Sequence, residues 1–238
     1  MPGKTRVMIL DNHQSIVDGY LYRLNKLPEI EVVATLAFGG ELESALAQHP
    51  TDVLLLEFNI PTGPLAKDLH PMLSLIPKLL QLYPDLDILV ISIFSERGLI
   101  KALMEAGASG YILKDDSDAI RDLGNIVLSV AQGGIYLSQK VCKLYQKQDP
   151  SHSKAYPADS EESGLTPRQL DVLLLCAAYP EDRTGDLAQK LTVTNSAVRN
   201  LISDAFLKLG VNSRAAAIEK ARKLGLLSAD LPTIPRMH

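Results

Sequence analysis

The chain of 238 residues predicts an α/β doubly wound sheet followed by an all-α, four-helix domain. Three observations predict it. Short apolar runs alternate with helical stretches from Arg6 to about Gln132. A polar, proline- and serine-containing stretch, 149–163, interrupts the chain. Beyond it, helix caps and helical periodicity replace the short runs.

Short apolar runs between helical stretches read as buried parallel strands. They are expected near 6–10, 31–37, 52–58, 87–93 and 110–114, each followed by helix, with the last helix running from about Ser117 to Gln132. Five such units wind a parallel sheet. Val7-Met8-Ile9-Leu10 leads into Asp11-Asn12, Val53-Leu54-Leu55-Leu56 into Glu57, Ile88-Leu89-Val90-Ile91 into Ser92, and Gly110-Tyr111-Ile112-Leu113 into Lys114. Functional groups of an open parallel sheet gather at the carboxyl ends of its strands. Asp11, Asn12, Glu57, Ser92 and Lys114 are therefore expected to converge in one shallow pocket.

Gly133-Gly134 closes this first unit, which gives boundaries of 1–134. A short helix over 138–148 and a flexible linker fill 135–163. The segment after Glu57 is long and contains Pro61, Pro64, Pro71 and Pro77. Proline disfavours helix interiors, so an extended loop over 61–77 is expected beside the pocket, as a cover, a contact for a protein partner or a plain surface insertion.

The second unit, 164–238, opens on Thr166-Pro167-Arg168-Gln169. That is a capping box with proline at the first helical position. Helices are expected to about Ala178, from Thr184 to Leu191, from Thr194 to Leu209 with Gly210 as a left-handed stop, and from Ser213 to Leu224. On the third, Val198, Ile202, Ala205 and Leu209 recur at core spacing. Ser196, Arg199, Asn200 and Ser203 fall on the opposite face. In the last helix, Ala217, Ala221 and Leu224 form an apolar strip that suits dimerisation or packing within the domain.

The net charge of −4 argues against indiscriminate nucleic-acid binding, but it is unevenly spread. Residues 1–163 hold 14 Lys/Arg and 21 Asp/Glu, a net of −7, and residues 164–238 hold 10 and 7, a net of +3. An acidic sensor joined to a mildly basic reader fits this division. No apolar stretch nears the roughly 20 residues of a membrane helix, and the start shows no signal-peptide pattern. Cys142 and Cys176 lack metal-ligand spacing, so a reduced, cytoplasmic protein is expected. No nucleophile–base triad, Walker loop or dinucleotide fingerprint is present, and the chain is not read as an enzyme.

The stretches VMILDNH (7–13), DVLLLEFNIP (52–61), ILVIS (88–92) and GASGYILKD (107–115) resemble the flavodoxin-like receiver domain of bacterial response regulators. Leu165-Thr166-Pro167-Arg168, Leu187-Ala188-Gln189-Lys190-Leu191, Ala197-Val198-Arg199-Asn200 and Lys208-Leu209-Gly210-Val211, with Arg214 and Ala217, resemble the LuxR-type helix-turn-helix of NarL/FixJ regulators. The resemblance covers almost the whole chain. It implies an acidic pair that binds Mg²⁺, an Asp that takes a phosphoryl group, a Ser/Thr and a Lys that grip it, and Tyr111 as a switch aromatic. It also implies that the face of Ser196, Arg199, Asn200 and Ser203 enters a major groove, with Arg199 on guanine or phosphate and Asn200 on adenine. Lys190, Lys208 and Arg214 are then phosphate contacts.

Two positions depart from the receiver pattern. Asn12 stands in the acidic pair, and Glu57 stands where the phosphoacceptor Asp is expected. Mg²⁺ prefers hard, charged oxygen ligands, so its affinity is expected to fall, and no cofactor is expected. Glu57 carries its carboxylate about 1.5 Å further out than Asp would, which spoils in-line phosphoryl transfer. Three readings of the altered pocket follow. Glu57 mimics a phosphorylated Asp by reaching Lys114 and Ser92, with Tyr111 turned inward; or the pocket is inert and the domain senses a protein or ligand; or Lys114 only neutralises Asp11 and Glu57. His13 reads as a packing residue.

The function expected is a phosphorylation-independent response regulator that binds specific double-stranded DNA as a homodimer. The alternative is a protein-interaction regulator whose degenerate helix-turn-helix binds another transcription factor or polymerase.

Overall fold

A computed structural model describes residues 3–66, 71–146 and 164–227. Among them, six parallel strands form one sheet in the order β2-β1-β3-β4-β5-β6. The strands are β1 (Thr5–Leu10), β2 (Ile30–Leu36), β3 (Val53–Leu56), β4 (Asp87–Ser92), β5 (Gly110–Leu113) and β6 (Tyr136–Leu137). The helices α1 (Gln14–Leu24), α2 (Leu42–Gln48), α3 (Met72–Leu82), α4 (Arg97–Glu105), α5 (Ser117–Arg121) and α6 (Leu123–Ala131) connect them. β3, β4 and β5 are buried at every position, because helices cover both faces of the sheet. The doubly wound architecture expected from the apolar runs is the one observed.

One core lies on each face. Val7, Ile9, Leu55, Ile91 and Ile112 meet α1 and α6 on one side. Met8, Leu10, Leu54, Leu56 and Val90 face α3 and α4 on the other. This second cluster continues through α7 (Gln139–Gln146) into the C-terminal helices.

Four helices make up the C-terminal unit: α8 (Pro167–Ala178), α9 (Thr184–Leu191), α10 (Asn195–Leu209) and α11 (Arg214–Lys223). Their caps follow the sequence. The Thr166 hydroxyl accepts from the Gln169 amide, and the Gln169 side chain accepts from the Thr166 amide. Thr194 caps α10 and Ser213 caps α11. Gly210 ends α10 in the left-handed region, at φ 64°. Three residues separate α9 from α10, the spacing of a helix-turn-helix.

Several details differ from the sequence expectation. β6 is an added sixth strand, paired in parallel with β5. Helix over 117–132 is split at Asp122 into α5 and α6. The extended loop expected over 61–77 gives way to helix from Met72, with Pro77 inside α3; residues 67–70 of that loop and the whole expected linker, 149–163, lie outside the described residues. The apolar face of α3, with Met72, Leu75, Ile76, Leu79 and Leu80 buried, outweighs the proline. The carbonyl deprived of a donor is that of Leu73, a residue that is itself 45% exposed. Of the strip on the last helix, Ala217 and Ala221 are fully buried, which fits packing within the domain, whereas Leu224 is exposed.

Proline in a helix interior costs about 3 kcal/mol, partly offset by the restricted unfolded chain. Pro77→Ala is therefore expected to stabilise the sheet domain by about 1–2 kcal/mol, read as a higher urea midpoint with an unchanged slope.

Candidate functional site

The carboxyl ends of β1, β3, β4 and β5 bring four of the five expected pocket residues together. Asp11 and Glu57 are each 4% exposed, and Ser92 is fully buried. The Lys114 ammonium lies between the two acids, 2.7 Å from Asp11 Oδ2 and in contact with Glu57 Oε2. Glu57 Oε1 accepts from the Ser92 hydroxyl and from the Asn59 amide, both at 3.1 Å. Asp11 Oδ1 accepts from the His13 amide at 2.9 Å and lies 3.0 Å from His13 Nδ1. Asn12, the fifth, is exposed.

These residues do not fit the Mg²⁺ site implied by the receiver resemblance. Both carboxylates already face Lys114, and Asn12 adds no charge. Among the described residues no group of three or more His, Cys, Asp or Glu could hold a metal ion. The Glu57 carboxylate instead sits between the Ser92 hydroxyl and the Lys114 ammonium.

Tyr111 is fully buried, and its hydroxyl donates to the Phe94 carbonyl at 2.7 Å. Phe94 meets Phe58 edge-on, with centroids 5.5 Å apart. Phe58 directly follows Glu57, so the aromatic contact joins the loops after β3 and β4.

A second constellation lies at the opposite end of the sheet. Here α10 packs its polar face against the sheet domain. Arg199 is 2% exposed and Ser203 1%. The Arg199 guanidinium reaches Asp87 Oδ1 at 2.7 Å and the carbonyls of Leu86 and Gly107 at 3.3 Å. Asp87 Oδ1 also accepts from the Ser109 hydroxyl at 2.8 Å. Asn195 and Asn200 donate to the carbonyls of Pro84 and Glu105. Glycines permit the close approach. A Cβ on Gly107 (φ 107°) would lie 3.2 Å from Ser196 Oγ, and one on Gly133 (φ 81°) 2.6 Å from Arg183 Cα. The seam holds a polar cavity of about 100 Å³ bordered by Asp85, Asp87, Arg183, Thr184, Asn195 and Arg199.

Burial pushes the Asp87 carboxyl up to about 6, against the pull of Arg199, the Ser109 hydrogen bond and Arg183; the more distant Asp52 adds to the rise. Burial also lowers the proton affinity of Arg199. It pushes the Cys142 thiol up to about 12 and the Cys176 thiol to about 11, which leaves both unreactive. Cys142 Sγ faces the Val211 carbonyl at 3.2 Å, another contact across the seam.

The expected DNA-contacting residues are thus placed differently from the free surface that helical periodicity suggests. Ser196, Arg199, Asn200 and Ser203 share one face of α10, but the sheet domain covers it. Arg214 donates to the carbonyls of Cys176, Tyr179 and Asp182, clamping the end of α8. Lys208 donates to Gly164 and Gln169, and Lys190 pairs with Asp182 at 2.8 Å. Sequence reasoning missed Asp87 and Ser109. The available signal was an acid at the head of a fully apolar strand, where burial demands a partner.

No protein-family model matches the chain. It is 29% identical over 235 residues to the transcriptional regulatory protein DegU of Brevibacillus brevis, covering 93% of this chain and 94% of that one. It is 29% identical over 225 residues to the oxygen regulatory protein NreC of Staphylococcus epidermidis, covering 93% and 99%. Among solved structures, the RcsB response regulator of Salmonella typhimurium aligns with a TM-score of 0.53 at 21% identity, covering 94% and 100%. An RcsB–DNA complex aligns with a TM-score of 0.54 at 20% identity, covering 95% and 100%. Along nearly its whole length, the chain is similar to response regulators of the NarL/FixJ kind.

Proposed function

We propose that the chain is a transcription regulator that reads DNA through α10, is held closed by its own receiver, and takes an input other than aspartyl phosphorylation. The observation that carries this reading is incomplete hydrogen bonding on the covered face. Among the described residues, five buried side-chain polar atoms have neither a hydrogen bond nor an ion-pair partner. Three belong to this face of α10: Arg199 Nε, Asn195 Oδ1 and Asn200 Oδ1. An unsatisfied buried polar atom costs about 1–3 kcal/mol. These groups carry more hydrogen-bonding capacity than the protein atoms across the seam use. The same guanidinium and amide groups suit base edges and phosphates. DegU is named a transcriptional regulator and RcsB has been solved on DNA, which supports this use of the helix. Paired half-sites make a homodimer the expected DNA-bound form.

The non-phosphate input rests on Glu57. Its carboxylate sits between Ser92 and Lys114, and Tyr111 points inward. Both features support the reading in which Glu57 stands in for a phosphorylated Asp.

A second reading is favoured by the cations. Lys190, Lys208 and Arg214 all have partners within their own domain, which leaves few free phosphate contacts. On that reading α10 binds another transcription factor or polymerase.

Selection of genomic fragments by the full-length protein, then salt-titrated binding, separates the two. DNA binding shows a steep fall of affinity with salt through counterion release, and a protein contact need not. Asp87→Ala removes one partner of a buried pair, which costs closure about 3–5 kcal/mol, and is expected to tighten DNA binding at least tenfold. Arg199→Ala opens the same seam but is expected to weaken DNA binding by about 1–3 kcal/mol. Equal effects of the two variants would refute a reading role for Arg199.

Glu57 is not expected to label with acetyl phosphate, and DNA binding is expected to be unchanged by it. Labelling at Glu57, read by intact-protein mass, would refute the non-phosphate input.

A further inference from the structure

A cleft of about 200 Å³ opens between α1 and α5, beside the Lys114 cluster. Its walls are Ser15, Ile16, Gly19, Tyr20 and Arg23 of α1, with Lys114 and Ile120 opposite. The volume exceeds the roughly 150 Å³ that admits a benzene ring in an engineered protein cavity. Gly19 contributes no side chain, which helps leave the space between Ile16 and Ile120 unfilled.

The wall chemistry has one sign. It contains two cations and two hydroxyls but no carboxylate. Lys114 is engaged by Asp11 and Glu57. Arg23 is not engaged by any acid: among the described residues it forms no ion pair, and its one hydrogen bond runs to the Gly19 carbonyl. Tyr20 is 4% exposed, and its hydroxyl has no hydrogen-bond partner. Burial, with Asp11 and Glu57 nearby, raises the proton affinity of that hydroxyl and keeps it a donor. An apolar slot edged by an unpaired guanidinium and an unpartnered buried donor complements an anion with a flat apolar body.

We propose that this cleft binds a small aromatic carboxylate of about the size of benzoate. The ring lies between Ile16 and Ile120 over the space left by Gly19, and the carboxylate pairs with Arg23. Lys114 is both a wall of the cleft and the cation between Asp11 and Glu57. Occupancy and the acid cluster therefore share one side chain, which gives a route for a signal into a receiver that does not take phosphate. This role rests on the non-phosphate input proposed above, but the binding itself does not.

The test is titration of 4-fluorobenzoate into the full-length protein without phosphodonor or DNA, followed by fluorine NMR. Saturable binding with a sub-millimolar Kd is expected, with 4-fluorobenzamide at least tenfold weaker. Gly19→Leu fills the slot and should abolish binding. Arg23→Gln, at a half-buried site, should weaken it at least tenfold while the chain stays folded. Absence of saturable binding to the unmodified chain, equal affinity for the amide, or unchanged affinity in folded Arg23→Gln protein would each overturn the proposal. Binding in this titration, together with labelling of Glu57 in the separate acetyl-phosphate assay, would keep the site and refute only the non-phosphate input.

Discussion

Arg199 carries a full positive charge into a seam where it is 2% exposed. Removing a charge from water costs several kcal/mol, and the cost is recovered only with a close counter-ion and further hydrogen bonds. Asp87 supplies the counter-ion, Leu86 and Gly107 supply carbonyls, and Ser109 holds the carboxylate. The relation of the two domains follows from this requirement. α10 must lie across the start of β4 for the guanidinium to be satisfied; Gly107 leaves room for the Ser196 side chain, and Gly133 lets backbone approach the Arg183–Thr184 backbone closely enough to allow it. The apolar cluster that runs from the sheet into α8–α11 adds area, but it is less directional than the ion pair.

The opposite end of the sheet is organised by a second buried cation. Lys114 holds two carboxylates that would repel each other without it, and Ser92 orients one of them. The two constellations share β4. Asp87 begins it and Ser92 ends it, about 17 Å apart at the usual rise per residue. A rigid, fully buried strand therefore carries one member of each cluster.

Much of this architecture was legible in the sequence, for physical reasons. Buried parallel strands must be apolar on both faces, so runs such as Val53–Leu56 are unambiguous and the residues at their ends fall together. Capped helices announce themselves through Thr166, Thr194 and Gly210. The two-residue strand β6 is too short to show a period and is fixed by pairing with β5 alone. Pro77 misled because local propensity was weighed without the apolar face of α3. The covering of α10 was out of reach for another reason: periodicity tells which residues share a face, not what lies against it. An Arg bound to a buried Asp and an Arg exposed to solvent have the same spacing from Val198 and Ile202.

On the proposed function α10 serves both the seam and an external partner, and that double role has an evolutionary consequence. Any change at position 199 that suits a new external partner must also be tolerated by Asp87, Leu86 and Gly107. Changes in the receiver near 84–87 and 105–109 are bound in turn by the chemistry of α10. The two halves of the chain are therefore constrained to diverge as a matched set. A chimera that grafts either half onto an unrelated regulator would keep both folds and lose the seam between them.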